Sequence, residues 1–185
     1  KTPMVTTIHG FSSSKIIPVY KKYNKTSSYI SISNSDRSSE LHYLATVYNG
    51  LRLSEFTFQE KPKDYLLFMG RIHPDKGAAE AIKIAQKVDL PLKIAGIIQN
   101  QDYFEEQVKP HLNENILFVG HVGPEARNEL LGNALALLHP ISFNEPFGLS
   151  VAESMLCGTP VVAYNKGSMP ELIQDGKTGF LVENR

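Results

Sequence analysis

Two glutamates that stand eight positions apart, Glu145 and Glu153, are the side chains with the clearest potential for chemistry. A helix that begins near Gly148 places Glu145 in the loop before its first turn and Glu153 about a turn and a half inside it. One carboxylate then faces a ligand in front of the helix, and the other lies along its flank. The alternative is an amphipathic surface helix with two solvated glutamates, and the spacing alone favours that interpretation.

The first turn of this helix is also a potential anion site. The N–H groups of Leu149 and Ser150 have no carbonyl partner one turn earlier, and the helix dipole favours negative charge there. Gly158 is a suitable C-cap for the same helix. The predicted apolar face consists of Leu149, Ala152, Met155 and Leu156.

Two cations, Arg71 and Lys76, stand between a predicted strand and a predicted helix. Arginine presents a planar fork to phosphate oxygens, and lysine presents a compact charge. The glycines on either side, Gly70 and Gly77, permit close approach of a ligand to the backbone. A phosphate site and a pair of ordinary surface cations, partnered by Asp75, are both open interpretations, because the segment matches neither common glycine-rich phosphate motif.

Glycines also end two other predicted strands, at Gly96 and Gly120. Main-chain groups near His121 and Val122 could contact the edge of a flat ring, although tight strand-to-helix turns explain the glycines equally well. Glu171, after a later glycine turn, is interpreted as structural.

The six histidines show no metal-ligand spacing. His9 differs from the others because it ends a predicted strand beside a glycine. The remaining five are interpreted as surface or core polar groups: His42, His73, His111, His121 and His139. No Asp-x-Asp sequence is present to hold a divalent metal on a diphosphate, so cationic side chains and helix N-termini would have to neutralise it.

From Tyr65 onward, apolar segments alternate with helical patterns. Predicted strands cover residues 65–69, 92–95, 116–119, 134–138, 161–164 and 179–182, and predicted helices cover residues 76–88, 102–112, 124–131, the segment from about 148 and a short turn at 170–173. This alternation is typical of an α/β fold, a mostly parallel sheet with helices on both faces. Such sheets bind ligands beyond the carboxyl ends of their strands.

The first third of the chain is less regular. We predict strands at residues 4–8, 28–33 and 45–48, a short helix at 15–24 broken by Pro18, and a polar helix at 34–44. Residues 52–64 show no apolar period and are predicted to be a linker or long exposed loop, which makes them the expected domain boundary.

The composition is that of a soluble globular protein and favours a small-molecule ligand over nucleic acid. The 185 residues are 42% hydrophobic and 21% charged, and 19 basic residues balance 19 acidic ones, so no basic field favours nucleic acid. The single cysteine, Cys157, is expected to be a small buried hydrophobe, which favours a reducing compartment such as the cytoplasm. No apolar run is long enough to span a membrane and no signal peptide is evident, while the abrupt ends predict a piece of a longer protein.

Several motifs point in one direction when they are taken together: Gly70-Arg71 with Asp75-Lys76-Gly77, Glu145-Pro146-Phe147-Gly148-Leu149, Glu153, Cys157-Gly158-Thr159-Pro160-Val161 and Gly167-Ser168-Met169-Pro170-Glu171-Leu172. They resemble the signature of retaining group 1 glycosyltransferases, also called family 4. The resemblance implies the GT-B architecture of two Rossmann-like domains that face each other across a cleft. It implies that residues 1–45 end the acceptor-side domain, that 46–64 form the linker, and that 65–185 form a nucleotide-sugar-binding domain truncated at its C-terminus.

The same resemblance implies a role for each site residue. Arg71 and Lys76 would bind the donor diphosphate and stabilise the leaving nucleotide. Glu145 would contact hydroxyls of the transferred sugar, and Glu153 would bind the ribose. The remaining implied contacts are the amides of Gly148, Leu149 and Ser150 to a phosphate, the backbone around Ile97, His121 and Val122 to the base, and His9 near the sugar and acceptor.

The implied reaction moves a hexose from a UDP- or GDP-sugar to an acceptor hydroxyl on a glycan, a lipid or a small molecule, with no cofactor and no metal ion. Peripheral membrane association of the full-length protein stays open. The fragment alone is expected to bind nucleotide and to transfer sugar poorly. Two alternatives remain: a non-hydrolysing nucleotide-sugar epimerase of the same fold, and a non-catalytic nucleotide-binding module.

Overall fold

A computed structural model describes residues 2–10 and 13–183 and contains two parallel β-sheets. The strands are β1 (Met4–Ile8), β2 (Ser27–Ser31), β3 (Tyr43–Thr46), β4 (Leu66–Met69), β5 (Leu92–Ala95), β6 (Ile116–Gly120), β7 (Ala136–His139), β8 (Val161–Tyr164) and β9 (Gly179–Val182). The α-helices are α1 (Ile17–Tyr23), α2 (Ala78–Val88), α3 (Gln101–Tyr103), α4 (Pro124–Asn133), α5 (Leu149–Leu156) and α6 (Met169–Leu172).

The second sheet has the order β6-β5-β4-β7-β8-β9, and all its strand pairs are parallel. Alternate residues of β4 point to opposite faces, so Leu66 and Phe68 join one apolar core while Leu67 joins the other. Helices cover both cores: α2 packs in the first, and residues of α4 and α5 pack in the second. The predicted α/β fold with a doubly covered parallel sheet is therefore confirmed.

The first sheet has the order β1-β2-β3, and its strands are also parallel. Its small core contains Ile8, Ile17, Tyr29 and Leu41. Contrary to the prediction, Pro18 does not break the helix of this region. It lies in the first turn of α1, where its missing N–H costs nothing.

The helix predicted over residues 34–44 is wrong. The segment forms bends and turns, and β3 begins within it at Tyr43. Its polar side chains bond the nearby backbone instead of leaving it to a helix: the Ser33 hydroxyl accepts from Asp36 N–H at 3.2 Å, and the Ser38 hydroxyl accepts from Glu40 N–H at 3.3 Å.

Two further helix predictions need correction. Residues 102–112 do not form one α-helix, because α3 continues as a π-helical segment (Phe104–Val108) and then a 3-10 turn (Lys109–His111) that contains Pro110. The apolar face predicted for α5 is also wrong: Leu149 is 48% exposed, whereas Val151, Glu153 and Ser154 are buried. The error has a physical cause, because one flank of α5 faces the sheet and a cavity, described below, rather than apolar residues alone.

Residues 52–64 contain no strand and no α-helix, only a 3-10 turn at Leu53–Glu55. The segment is nevertheless fixed to the second sheet's helices. Thr57 N–H donates to the Asn128 side chain at 2.9 Å, and Gln59 N–H donates to the Cys157 carbonyl at 3.0 Å. Within residues 2–10 and 13–183, no helix has the length and apolar character needed to cross a membrane.

Candidate functional site

A cavity of about 580 Å³ lies between the two sheets, at the carboxyl ends of their strands. All eleven residues predicted for the site line it, from His9 after β1 to Glu153 in α5. This position follows from the parallel strands, whose carboxyl ends meet at one edge of each sheet. The structure therefore brings the predicted residues together, and their individual roles stay predictions.

Lys76 and Glu145 form an ion pair in the cavity wall, with 2.5 Å between Lys76 Nζ and Glu145 Oε2. Both side chains are largely buried, at 15% and 16% exposure, so the pair is poorly screened by water. The ammonium group also lies 4.9 Å from the ring centre of Phe143. A fixed cation beside a fixed carboxylate can contact both a phosphate oxygen and a sugar hydroxyl.

The loop that carries Glu145 is fixed by the start of α6. The Glu145 carbonyl accepts hydrogen bonds from the Ser168 N–H at 3.0 Å and from the Ser168 hydroxyl at 2.9 Å. Gly167, at φ +56°, allows this approach, because a Cβ there would lie 2.5 Å from Glu145 N. The loop geometry is thus set by residues about twenty positions later, which the sequence spacing did not reveal.

Arg71 lies at the exposed rim of the cavity, directly after β4. Its guanidinium donates to the Gln99 side chain, whereas Asp75, the alternative partner weighed for it, lies 3.2 Å from His73 instead. Arg71 therefore keeps donors for a ligand, because a single amide uses few of its five N–H groups.

Glu153 pairs with a residue that the sequence did not indicate. Arg127, in α4, approaches its carboxylate at 3.1 Å, and both side chains line the cavity. Burial raises the pKa of Glu153, and the Arg127 charge opposes that effect. The pairing depends on how α4 packs beside α5, and no local motif reveals it.

His139, interpreted from sequence as an ordinary surface or core histidine, lines the cavity at the end of β7. It is 6% exposed, and its Nε2 has no hydrogen-bond partner among the described residues. Desolvation, with a smaller effect from the Lys76 charge, lowers the pKa of His139 to about 3. The imidazole is therefore neutral at physiological pH, and Lys76 is the cation on this wall.

Acid should destabilise the protein through His139. The pKa is about 3 in the folded chain and 6.5 when unperturbed, so the unfolded chain binds the extra proton between these values. The contribution of His139 to the free energy of unfolding is fully present above pH 6.5. Below pH 6.5 it falls by up to about 1.4 kcal/mol per pH unit. Urea unfolding between pH 7.5 and 4.5 measures this slope. We expect His139→Gln to reduce the slope of the free energy of unfolding against pH, and the exposed control His111→Gln to leave it unchanged. An unchanged slope in His139→Gln would contradict the conclusion that acid destabilises the protein through His139.

Backbone groups complete the cavity. Gly148 adopts φ +89° and directs the N-terminus of α5, with Leu149 and Ser150, into the cavity wall. On the opposite side, Ile97, His121 and Val122 follow β5 and β6, which places their main chain at the sheet edge. In the described part of the chain, no group of three or more His, Cys, Asp or Glu side chains could hold a metal ion.

Comparison with known proteins identifies the family. A family model described as glycosyl transferases group 1 matches residues 52–185, which is more than half of the chain. The chain belongs to the group 1 glycosyltransferase family. The matched region of this glycosyltransferase chain includes Arg71, Lys76, Glu145 and Glu153.

Curated relatives agree with this membership. The chain is 32% identical over 146 residues to a glycogen synthase of Mycobacterium tuberculosis, a match that covers 74% of the chain and 35% of the relative. It is 36% identical over 132 residues to a D-inositol 3-phosphate glycosyltransferase of Paenarthrobacter aurescens, covering 64% of the chain and 31% of the relative. The chain thus spans about a third of the length of the curated relatives it matches.

Solved structures share the fold. AviGT4, a glycosyltransferase involved in avilamycin A biosynthesis, is 27% identical with a TM-score of 0.73, over 86% of this chain and 54% of that one. HepE of Anabaena, solved with UDP and glucose, is 24% identical with a TM-score of 0.81, over 98% of this chain and 58% of that one. The structural similarity places the chain in the GT-B fold.

Proposed function

We propose that this chain is the donor-binding part of a glycosyltransferase that moves a hexose, with retention and without a metal ion, from a UDP- or GDP-sugar to an acceptor hydroxyl. The observation that carries the proposal is the buried Lys76–Glu145 pair in a cavity that Arg71 and the N-terminus of α5 also line. Membership of the group 1 family supports the reaction class. The nucleotide sugar is the substrate, and no resident cofactor is proposed.

The cations and the helix N-terminus are suited to a diphosphate. As the bond between the anomeric carbon and the diphosphate oxygen breaks, negative charge grows on the leaving nucleotide. Fixed donors that face this charge in a partly dry cavity lower the barrier. Lys76 is the best placed, since it is largely buried, while Arg71 at the rim can adjust to the diphosphate.

The acceptor hydroxyl attacks the anomeric carbon from the face that the diphosphate leaves. A new glycosidic C–O bond forms, and the hydroxyl proton passes to the departing phosphate oxygen. This route needs no separate general base and retains the anomeric configuration. Glu145, held by Lys76, contacts sugar hydroxyls rather than forming a covalent bond in this proposal, and Glu153 contacts the ribose.

Calorimetric titration of this chain with UDP, GDP and ADP, with and without magnesium, tests the donor site. We expect one nucleotide to bind equally well with and without the metal. Arg71→Ala should weaken that binding by about 10- to 150-fold, because it removes charge-assisted hydrogen bonds worth about 1.5–3 kcal/mol. Arg52→Ala, an exposed arginine of the linker segment, is the matched control and should bind normally.

Failure of every nucleotide to bind to folded chain would contradict the donor-site assignment. Production of an epimer from a nucleotide sugar without acceptor would instead favour the epimerase alternative. Nucleotide binding with no transfer by the full-length protein would favour the non-catalytic module. The acceptor, a cytoplasmic location and membrane association stay predictions.

A further inference from the structure

The carboxylate of Glu171, in α6, accepts hydrogen bonds from the segments that follow β2 and β3 of the first sheet. One oxygen accepts from Asn34 N–H at 2.8 Å and from the Tyr48 hydroxyl at 2.9 Å. The other accepts from Ser35 N–H at 2.7 Å. We call these four residues, Glu171, Asn34, Ser35 and Tyr48, the clasp. Asn34 and Ser35 are 137 and 136 positions away in the sequence, so the clasp joins α6 to the segments that follow β2 and β3 of the first sheet.

The first-sheet side of the clasp is rigid. The Asn34 side chain accepts from the Thr46 hydroxyl at 2.8 Å and donates to the Tyr48 hydroxyl at 3.3 Å. Ile32 and Asn49, which lie close to the clasp residues in sequence, line the cavity. A shift of the clasp would therefore shift the cavity wall that includes His9, because β1 pairs with β2 along its whole length.

On the side of the second sheet, the clasp is connected to the Lys76–Glu145 ion pair through α6. Glu171 follows Ser168 by one helical turn, and Ser168 bonds the Glu145 carbonyl. The Tyr48 ring also lies 6.2 Å from the ring of Phe147, in the same loop as Glu145. The clasp thus connects the wall that carries His9 to the loop that carries Glu145.

The electrostatics show that the carboxylate is charged in this position. Partial burial by itself would raise the pKa of Glu171, but the hydrogen bonds from Asn34, Ser35 and Tyr48 outweigh it and the pKa is lowered. Two backbone N–H groups and a hydroxyl directed at one carboxylate are a strong, charge-assisted set. Such a set fixes the relative position of the elements that carry it.

We propose that Glu171 is a positioning residue that holds the first sheet against the second, so that the cavity wall with His9 faces the Lys76–Glu145 pair in the geometry needed for sugar transfer. This inference rests on the proposed function. Glu171 does not line the cavity and contacts no residue assigned to the nucleotide. Its loss should therefore affect transfer much more than donor binding.

Steady-state kinetics of Glu171→Gln in the full-length protein test this role. Glutamine keeps the size of the side chain but loses the charge and one acceptor oxygen. We expect kcat to fall by about 10- to 100-fold, since small misplacements of reacting groups have effects of this size, while nucleotide affinity changes less than about twofold. Tyr48→Phe, which removes one of the three hydrogen bonds to the Glu171 carboxylate and the bond that Asn34 donates to the Tyr48 hydroxyl, should show a smaller fall in kcat. Glu114→Gln, an exposed glutamate before β6, is the control and should behave as the native protein.

Amide hydrogen exchange provides a readout that does not depend on the reaction. In this chain, the Asn34 and Ser35 amides should be protected, and Glu171→Gln should raise the exchange rate of at least one of them by about tenfold or more. Unprotected amides in the native chain, a native kcat in Glu171→Gln, or equal losses of nucleotide binding and kcat would each overturn the positioning role. Protected amides in a native chain that binds no nucleotide would instead overturn the proposed function and leave the contact itself confirmed.

Discussion

Replacing Lys76 with methionine is expected to lower kcat for sugar transfer by about 10²–10³-fold, the range found when one preorganised donor to a developing negative charge is removed. The side chain is largely buried and is aligned by Glu145. Water therefore screens the attraction between its charge and a negatively charged leaving group only weakly. Methionine keeps approximately the length and the apolar character of the lysine stem and lacks only the ammonium group, which lies 4.9 Å from the ring centre of Phe143. The loss should therefore reflect the charge.

The matched control is Lys83→Met. Lys83 lies in α2, is 72% exposed and approaches Glu80 only at 3.8 Å. It carries the same charge on the same part of the fold, but it does not line the cavity between the sheets. A loss of kcat in both variants would show a general charge effect and contradict the specific role of Lys76.

A double-mutant cycle separates the cation from its partner. Glu145→Gln removes the carboxylate that aligns Lys76, and each single substitution leaves the other group buried without its counter-charge. We expect the double variant to lose less than the product of the two single losses, because contacting residues couple. If the fold loss of kcat in the double variant equals the product of the two single losses, the two residues do not act as a unit.

The sequence was sufficient to predict where the cavity lies. Strand ends at Met69, Ala95 and Gly120 follow from short apolar runs, and parallel strands place whatever comes next at one edge of the sheet. Arg71, Lys76 and the segments after β5 and β6 could be placed at the cavity for this reason alone. The residue types left a phosphate role open, and the contacts to phosphate and to sugar hydroxyls were implied only by the resemblance to group 1 glycosyltransferases.

The partners of these residues could not be predicted in the same way. Arg127 reaches Glu153 because α4 and α5 pack side by side, and Glu171 reaches Asn34 across 137 positions. Such contacts depend on the packing of whole elements, which leaves no local pattern. The prediction for residues 34–44 failed for the opposite reason: serines there bond the nearby backbone, and a polar segment with a possible cap looked helical.

Gly96→Ala is expected to have the largest effect on stability, a loss of more than about 4 kcal/mol that leaves little folded protein. Gly96 follows β5 with φ +151°, and a Cβ there would lie 1.8 Å from the carbonyl oxygen of Gly70. The glycine N–H meanwhile donates to the Gly120 carbonyl at 2.9 Å. The added methyl group must therefore push the end of β5 away from the segment that follows β4, at the floor of the cavity.

Substitutions at two other glycines distinguish the cost of a steric collision from the cost of a strained backbone. Gly120 has φ +75°, but no atom lies within 4 Å of the position that an alanine Cβ would take, so Gly120→Ala should cost only about 1–2 kcal/mol from the left-handed backbone. Gly123 has φ −73° and equally open space, so Gly123→Ala should change stability by less than about 0.5 kcal/mol. Urea unfolding of the three variants should rank them in this order. A Gly96→Ala protein as stable as Gly120→Ala would mean that the chain after β4 can move away from Gly96 without loss of stability, and it would contradict the steric explanation.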